Sequence, residues 1–201
     1  KDALARGFDE INFDYIRFPS DGNLDDMVYP YWQETTSMAE MIEGFFKHLR
    51  ANLPGERISA DLFGLATVER TDMGIGQLIE KAFPYFDYIA PMVYPSHYAA
   101  YVFGYRNPAD YPYEVVKNSI AEAAKRLLEY NTSQLDNLSS SSVVVHPRAK
   151  VKFRPWLQDF DLGADYDAAK VRAQIKASDE AGGEGWMLWD PKNVYTREAL
   201  L

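Results

Sequence analysis

Polar and apolar residues follow two periods along this chain, one typical of β-strands and one typical of α-helices. Five stretches have the pattern of a strand: residues 10–18, "RISADLFG", "YIAPMVYP", "VKFRPWLQDF" and "GWMLWDP". Between the first two, apolar residues recur three and four positions apart, at Met38, Met41, Ile42, Phe45, Phe46, Leu49 and Leu53. We therefore predict a helix there, capped by Ser37 or a neighbouring threonine and ended by Pro54 and Gly55.

Further helices are predicted between the remaining strands, over residues 76–83, 113–130 and 167–181. A serine-rich stretch, "NTSQLDNLSSSS", is predicted to be a surface insertion, because the alternation of strands and helices resumes after it. Strands that alternate with helices form βα units. The sequence therefore predicts an α/β fold with a parallel sheet, in a single domain over residues 1–201.

Polar and aromatic residues at the strand ends favour a (β/α)8 (TIM) barrel over an open sheet. An open sheet gathers its site at one switch point, whereas a barrel collects contributions from many strand ends around one mouth. Every predicted strand carries such residues at its C-terminal end: Asp14 and Arg17, Asp61, Tyr94 and His97, Gln158 and Asp159, and Trp189 and Asp190. The strands are also not followed by G-x-G-x-x-G or a P-loop, so a nucleotide site has no support.

The first two strands repeat one arrangement of polar residues. If side chains alternate faces, Ile11, Phe13 and Tyr15 point to the helices, while Asn12 and Asp14 point into the barrel. Ser59 and Asp61 take the same places on the second strand. A lone buried carboxylate is costly, so a pair at the barrel mouth predicts a chemical role. The alternative is that Asp14 forms a structural ion pair with Arg17.

Aromatic residues gather at the same predicted rim. Tyr94, Tyr98, Trp156, Trp186 and Trp189 lie at or just past strand ends. Each alone could be core filler, but together, beside carboxylates, they predict faces on which a sugar ring stacks. His97 is a candidate hydrogen-bonding residue, with a loop-fixing role as the alternative.

Composition narrows the range of partners. A net charge of −9, with 21 Lys and Arg, argues against a nucleic-acid partner. No apolar run is long enough to span a bilayer. The chain has no cysteine and three histidines, none in a metal-binding motif, so we expect neither a metal nor another cofactor. Nothing in the sequence indicates an oligomeric state.

Five blocks of the sequence together resemble a known bacterial family. The blocks are "GFDEINFDYIRFPSDG", "ISADLFG", "YIAPMVYPSHY", "RPWLQDF" and "GWMLWDP". They are similar to a family of glycoside hydrolase-like domains, catalogued as a domain of unknown function and grouped with the (β/α)8 glycosidases. The resemblance implies that the strands here are the fourth to eighth of a barrel, the C-terminal portion of a domain whose earlier strands are absent from this chain. It also implies a secreted or cell-envelope protein.

The resemblance also implies roles for individual residues. Similar barrel glycosidases carry their two catalytic carboxyls at the ends of the fourth and fifth strands, which Asp14 and Asp61 occupy here, although many such enzymes use a glutamate as the acid. We expect Asp14, beside Arg17, to be the nucleophile or base, and Asp61, beside apolar residues, to be the acid. The expected substrate-binding residues are Asn12, Arg17, Tyr94, His97, Tyr98, Trp156, Gln158, Asp159 and Trp189.

Two other functions remain open at the level of sequence. One is a carbohydrate-binding barrel that keeps the aromatic rim but does not turn substrate over. The other is a metal-dependent polysaccharide deacetylase, which would need a set of metal ligands that the sequence does not reveal. The favoured prediction is a cofactor-independent glycoside hydrolase that cleaves a polysaccharide with two carboxyl groups, its sugar and linkage undefined.

Overall fold

A computed structural model of the chain describes residues 1–32, 35–137 and 149–201. The helices are α1 (Asp2–Ala5), α2 (Met38–Asn52), α3 (Ile79–Ala82), α4 (Pro112–Asn137) and α5 (Ala168–Glu180). The strands are β1 (Ile11–Phe13), β2 (Ile58–Phe63), β3 (Tyr88–Met92), β4 (Lys152–Phe153), β5 (Trp156–Gln158) and β6 (Met187–Trp189). Short 3-10 turns follow several of the strands.

The strands form one parallel sheet. Its order is β1-β2-β3-β5-β6, and β4 pairs with the start of β3. Apart from β4, which comes between β3 and β5 in the chain, each strand pairs with the next one, and a helix or loop connects the two. The result is an α/β half-barrel, which confirms the predicted fold class. All parallel strands also place their C-terminal ends at one edge of the sheet, where the candidate site lies.

The first predicted strand is much shorter than the sequence pattern indicates. β1 ends at Phe13, and Tyr15 has a backbone φ of 57°. This left-handed conformation costs a non-glycine residue roughly 1–2 kcal/mol and ends the alternation of faces. The prediction that Tyr15 points toward the helices is therefore wrong: its side chain is 76% exposed.

The fourth predicted strand is two strands, separated by Arg154 and Pro155. Pro155 has no N–H to donate to a neighbouring strand, which accounts for the interruption. Before it, β4 pairs with the start of β3; after it, β5 joins the end of β3 to β6. Because of this break, residues 152–158 pair with both the start and the end of β3.

The helices largely match their predictions. α2 starts at a complete capping box, in which Ser37 and Glu40 bond each other's backbone N–H. The predicted 76–83 helix contains only the single turn of α3. α4 continues past its predicted end into the serine-rich stretch, as far as Asn137. The rest of the predicted insertion lies outside the described residues.

The core lies between the sheet and the helices. On β2, Ile58, Ala60 and Leu62 are buried and belong to the hydrophobic cluster that the helices cover. Ser59 and Asp61 take the opposite face, as predicted from the alternation, and are almost fully buried. The carboxyl group of Asp61 thus lies on the sheet face that points away from the hydrophobic cluster, where water has little access.

Candidate active site

A cavity of about 490 Å³ opens at the C-terminal edge of the sheet. Its wall is formed by residues that lie in or after strands of the sheet: Asp14, Tyr15, Arg17, Asp61, Phe63, Gly64, Leu65, Gln77, Met92, Tyr94, His97, Tyr98, Trp156 and Trp189. Two carboxyl groups and several aromatic rings therefore share one apolar-walled space. This combination is typical of a site that binds a small organic ligand or part of a larger one.

Asp61 is the buried carboxyl of this cavity. It is 5% exposed and accepts two hydrogen bonds, from Asn12 Nδ2 to Oδ2 and from Trp156 Nε1 to Oδ1, each of 2.9 Å. Burial raises the pKa of Asp61 to about 6, because desolvation outweighs the two hydrogen bonds, and the negative charge of Asp14 acts in the same direction. Asp61 can therefore carry a proton near neutral pH.

Asp14 is the open carboxyl of the pair. It follows the last residue of β1 and is exposed, and its Oδ1 accepts a 2.7 Å hydrogen bond from the N–H of Tyr15. The left-handed turn at Tyr15 gives this carboxylate its orientation in place of strand alternation. Asp14 and Asp61 thus line one cavity but differ in their access to water.

Arg17 does not form an ion pair with Asp14, the structural alternative that the sequence left open. Its guanidinium lies 4.9 Å from the ring centre of Phe63 and 5.4 Å from that of Tyr15, and its Nη1 donates to the carbonyl of Phe18. Its closest carboxylate among the described residues is that of Asp21, at 3.9 Å. Arg17 therefore lines the cavity as a cation stacked on aromatic rings.

Four of the predicted aromatic residues reach the cavity. Trp156 and Trp189 meet edge to face with ring centres 6.1 Å apart, and Trp189 is 42% exposed. Tyr94 and Tyr98 also line the cavity but are buried, and the Tyr98 hydroxyl bonds Ser119 Oγ at 2.8 Å. Trp186 instead packs against the core, so its place among the rim aromatics is corrected.

His97 lies at the mouth of the cavity beside two rings. Tyr94 and Phe160 contact it edge to face, with ring centres 5.3 and 6.0 Å away. Loss of solvation there lowers the pKa of His97, so the ring is neutral at pH 7. Its Nδ1 is 3.0 Å from Ser96 Oγ, so Nε2 is available to a ligand.

Three predicted binding residues do not line the cavity. Gln158 is fully buried and braces the loops, since its Oε1 accepts from the N–H of Ser96 and its Nε2 donates to the carbonyl of Phe160. Asp159, 4% exposed, accepts from the N–H of Thr196. Asn12 acts behind Asp61 through its hydrogen bond. The strand pattern located these residues near the site but could not give the direction of each side chain.

Several wall residues were not predicted, above all Tyr15 and Phe63. Tyr15 was missed because its exposure follows from a φ angle that no residue pattern encodes. Gly64 is required for a different reason: a Cβ there would lie 2.5 Å from the carbonyl oxygen of Met92 and 2.6 Å from the Tyr98 hydroxyl. The glycine allows β2 and β3 to approach each other at the cavity floor.

The described residues contain no group of three or more His, Asp or Glu side chains placed to bind a metal ion. Likewise, none of the helices in the described ranges combines the length and the apolar character needed to cross a membrane.

Comparison with known proteins gives the family. Residues 1–195 match the family described as "Putative glycosyl hydrolase domain". The chain belongs to this family. The resemblance inferred from the five sequence blocks is thereby confirmed. No curated protein matches the chain.

One solved structure is similar in part, that of the glycoside hydrolase domain of PgaB (BpsB) from Bordetella bronchiseptica. The similarity covers 76% of this chain at 17% sequence identity, with a TM-score of 0.48. The chain spans 37% of the length of that structure.

Proposed function

We propose that this chain carries the two catalytic carboxyl groups of a glycoside hydrolase that acts on a polysaccharide. The observation that supports the proposal is the contrast between Asp61 and Asp14. One is buried, with a pKa raised to about 6, and the other is open to water, while both line one cavity. Glycoside cleavage needs this contrast, because one carboxyl must give a proton and the other must act as an anion.

Asp61 is the proposed acid. Its proton passes to the glycosidic oxygen as the bond from that oxygen to the anomeric carbon breaks, so the leaving sugar departs as an alcohol. Asp14 is the proposed anionic partner, which attacks the anomeric carbon or takes a proton from the attacking water. The separation of the two carboxyls when substrate is bound sets which route operates, and hence whether the anomeric configuration is retained or inverted.

The aromatic wall supports a sugar as the substrate. Trp189 presents an exposed ring against the edge of Trp156, and Tyr15 presents another on the opposite side of the cavity. Sugar rings carry apolar C–H faces that pack on aromatic rings, while their hydroxyls need polar partners, which Arg17 and His97 supply. We propose a polysaccharide outside the cytoplasm as the substrate, since the family resemblance implies a secreted or cell-envelope protein.

The test is release of reducing ends from a panel of polysaccharides by the full-length natural protein. We expect Asp14→Asn and Asp61→Asn each to lower turnover at least ~100-fold, the usual contribution of one acid or base group, without loss of folding. Asp25→Asn is a matched control, because Asp25 is an exposed aspartate in the loop after β1. Near-normal turnover in either cavity variant would refute the assignment.

A carbohydrate-binding role without turnover is the second candidate. It is favoured by the two hydrogen bonds that Asp61 accepts, since a carboxylate with both oxygens engaged can serve to orient Asn12 and Trp156 alone. Calorimetric titration with the same panel separates the two functions. Binding by the parent protein with no reducing ends released from any member would support the second candidate over the first.

A further inference from the structure

A row of polar side chains runs from Asp61 into the interior of the half-barrel. Asn12 bonds Asp61 through its Nδ2, and the Oδ1 of Asn12 lies 2.7 Å from Ser59 Oγ. Ser59 Oγ also lies 2.6 Å from Glu10 Oε1, and Arg154 Nη2 bonds that same oxygen. Ser59 is fully buried, so water does not take part at this point of the row. We call Asn12, Ser59 and Glu10 the polar row.

When Asp61 is ionised, the polar row has one proton fewer than it has short contacts between polar atoms. A serine hydroxyl has a single proton, yet Ser59 Oγ faces two acceptor oxygens, those of Glu10 and Asn12. One of these short oxygen–oxygen contacts therefore lacks a proton of its own. Two oxygens held that close without a proton between them repel each other, so this arrangement is unfavourable even though Asn12 itself is an exposed residue.

A turn of the Asn12 carboxamide removes the shortage. Rotation by about 180° about the bond to the side-chain amide carbon exchanges the oxygen and the nitrogen at nearly equal shape. Asn12 Nδ2 then donates to Ser59 Oγ, and Ser59 donates to Glu10. Asn12 Oδ1 now faces Asp61 Oδ2, which must carry a proton to bond it. In this second arrangement every contact of the row has one proton.

We propose that Asn12 and Ser59 are positioning residues that hold the proton of Asp61, and that the Asn12 carboxamide turns whenever Asp61 gains or loses that proton. The protonated arrangement is the fully bonded one, so the polar row favours the acid form of Asp61. The consequence for catalysis rests on the proposed function.

The transfer of the Asp61 proton to the substrate conserves the number of protons. Asp61 gives the proton on Oδ2 to the leaving oxygen of the substrate and becomes a carboxylate. The Asn12 carboxamide then turns back, so that its Nδ2 donates a hydrogen bond to the new anion, and no other group gains or loses a proton. The turn thus replaces an accepted hydrogen bond by a donated one at the moment when negative charge appears on Asp61.

Other charged groups around Asp61 do not provide this coupling. Asp14 faces it across the cavity and favours protonation, while Arg154 favours the anion. Tyr94 is also close, and burial together with the charge of Asp61 raises the pKa of its hydroxyl, so Tyr94 is neutral. Glu10 is tied to Arg154. A substitution at Ser59 leaves all of these charged groups in place.

The test is the titration of Asp61 in Ser59→Ala, followed by the carbon resonance of its carboxyl group and assigned with Asp61→Asn. Without the hydroxyl, Asn12 Nδ2 has no acceptor in the turned form. The arrangement in which Asp61 is ionised therefore becomes relatively more stable. We expect the titration midpoint of Asp61 to fall by about one pH unit, a tenfold loss of proton affinity. Ser178→Ala is the matched control, since Ser178 is a fully buried serine of α5 whose hydroxyl has no hydrogen-bond partner among the described residues.

An unchanged or raised midpoint in Ser59→Ala would overturn the proposal, because a purely structural hydroxyl has no reason to favour the acid form. The parent protein gives a second measurement. Magnetization transfer (NOE) from the Asn12 amide protons to the Ser59 β-protons should be strong at pH 4 and weak at pH 8, and equal intensity at both would refute the turn. If both results hold while no polysaccharide is cleaved, the polar row stands and the proposed function fails.

Discussion

The two aspartates of the cavity have the same side chain but differ in what surrounds them. Asp61 stands on a central strand, beneath Trp156 and beside Asn12, and is almost completely removed from water. Asp14 stands on a turn beyond the edge strand and remains hydrated. Position in the sheet, rather than residue type, therefore separates the desolvated carboxyl group from the hydrated one.

The raised pKa of Asp61 makes the rate of hydrolysis depend on pH. An acid is active only while it carries its proton, and the protonated fraction of Asp61 falls as pH rises through its pKa of about 6. We expect kcat/KM to decline above pH 6 by nearly tenfold per pH unit, since this parameter reports the free enzyme. Measurement from pH 4 to 9 in constant ionic strength checks it. A rate that is flat or rising between pH 6 and 8 would exclude Asp61 as the acid.

Trp189 is predicted to serve binding more than stability. Trp189 is 42% exposed and lines the cavity, so truncation removes less buried surface than the loss of a core ring would. We expect Trp189→Ala to weaken sugar binding at least ~10-fold but to lower the free energy of unfolding by no more than about 2 kcal/mol, judged by the area lost. Phe46→Ala is the control, because Phe46 is 1% exposed and its loss should cost about 3–5 kcal/mol. Calorimetric titration and urea unfolding give the two quantities, and equal destabilisation in both variants would reassign Trp189 to the core.

Among the secondary-structure elements, α4 fixes the loop that follows β2. Arg126 of α4 is fully buried and bonds both oxygens of Glu80 on α3. It also donates to the carbonyls of Ala66 and Glu69, at the end of the turn that begins with Gly64. One side chain thus links two helices to the segment that carries the cavity floor. The buried cation is satisfied by four hydrogen bonds, as its desolvation requires.

Removal of that cation should destabilise the protein strongly. Arg126→Ala leaves the Glu80 carboxylate and two carbonyls without their partner, so we expect a loss of about 3–5 kcal/mol in the free energy of unfolding. Arg70→Ala is the matched control. Arg70 also bridges to α4, through Glu122 and Glu129, but its side chain is 53% exposed, and exposed ion pairs contribute about 0–1 kcal/mol. Urea unfolding of both variants distinguishes the two cases, and similar midpoints would contradict the role given to Arg126.

In the molecule as a whole, the two carboxyls lie on parts of the sheet that differ in stability. β2 is buried along nearly its full length and has a strand on either side. In the described sheet β1 pairs only with β2, and its three residues are partly or largely exposed. The Asp14 side of the cavity therefore belongs to an edge of the sheet, and the Asp61 side to its centre.

Hydrogen exchange of the backbone amides should reveal this difference. We expect the amides of Ile11–Phe13 to exchange at least ~10-fold faster than those of β2, because an edge strand opens without disrupting the core. A saturating oligosaccharide should slow exchange at β1 most, since it would bridge the two sides of the cavity. The central strand β3 is the internal control. Equal protection of β1 and β2 in the free protein would show that the edge is as firmly held as the centre.

The sequence by itself determined the order and type of the elements. Helical spacing in α2 and the apolar runs of β2 and β3 are local patterns, and burial in a parallel sheet follows from them. The sequence also located Asp14, Asp61, Tyr94 and Trp189 at strand ends, because the end of a strand can be read from the residues beside it. These four residues meet at one cavity for that reason.

Only the tertiary structure decided the direction and partners of the side chains beyond the strand ends. The left-handed turn at Tyr15 oriented Asp14 and brought an unpredicted ring into the cavity, and stacking on Phe63 kept Arg17 away from Asp14. The raised pKa of Asp61 likewise depends on burial within the folded chain, which outweighs the opposing hydrogen bonds from Trp156, 95 positions away, and from Asn12, 49 positions away. Alternation of faces is a property of neighbouring residues, whereas desolvation and hydrogen bonding arise between segments that only folding brings together.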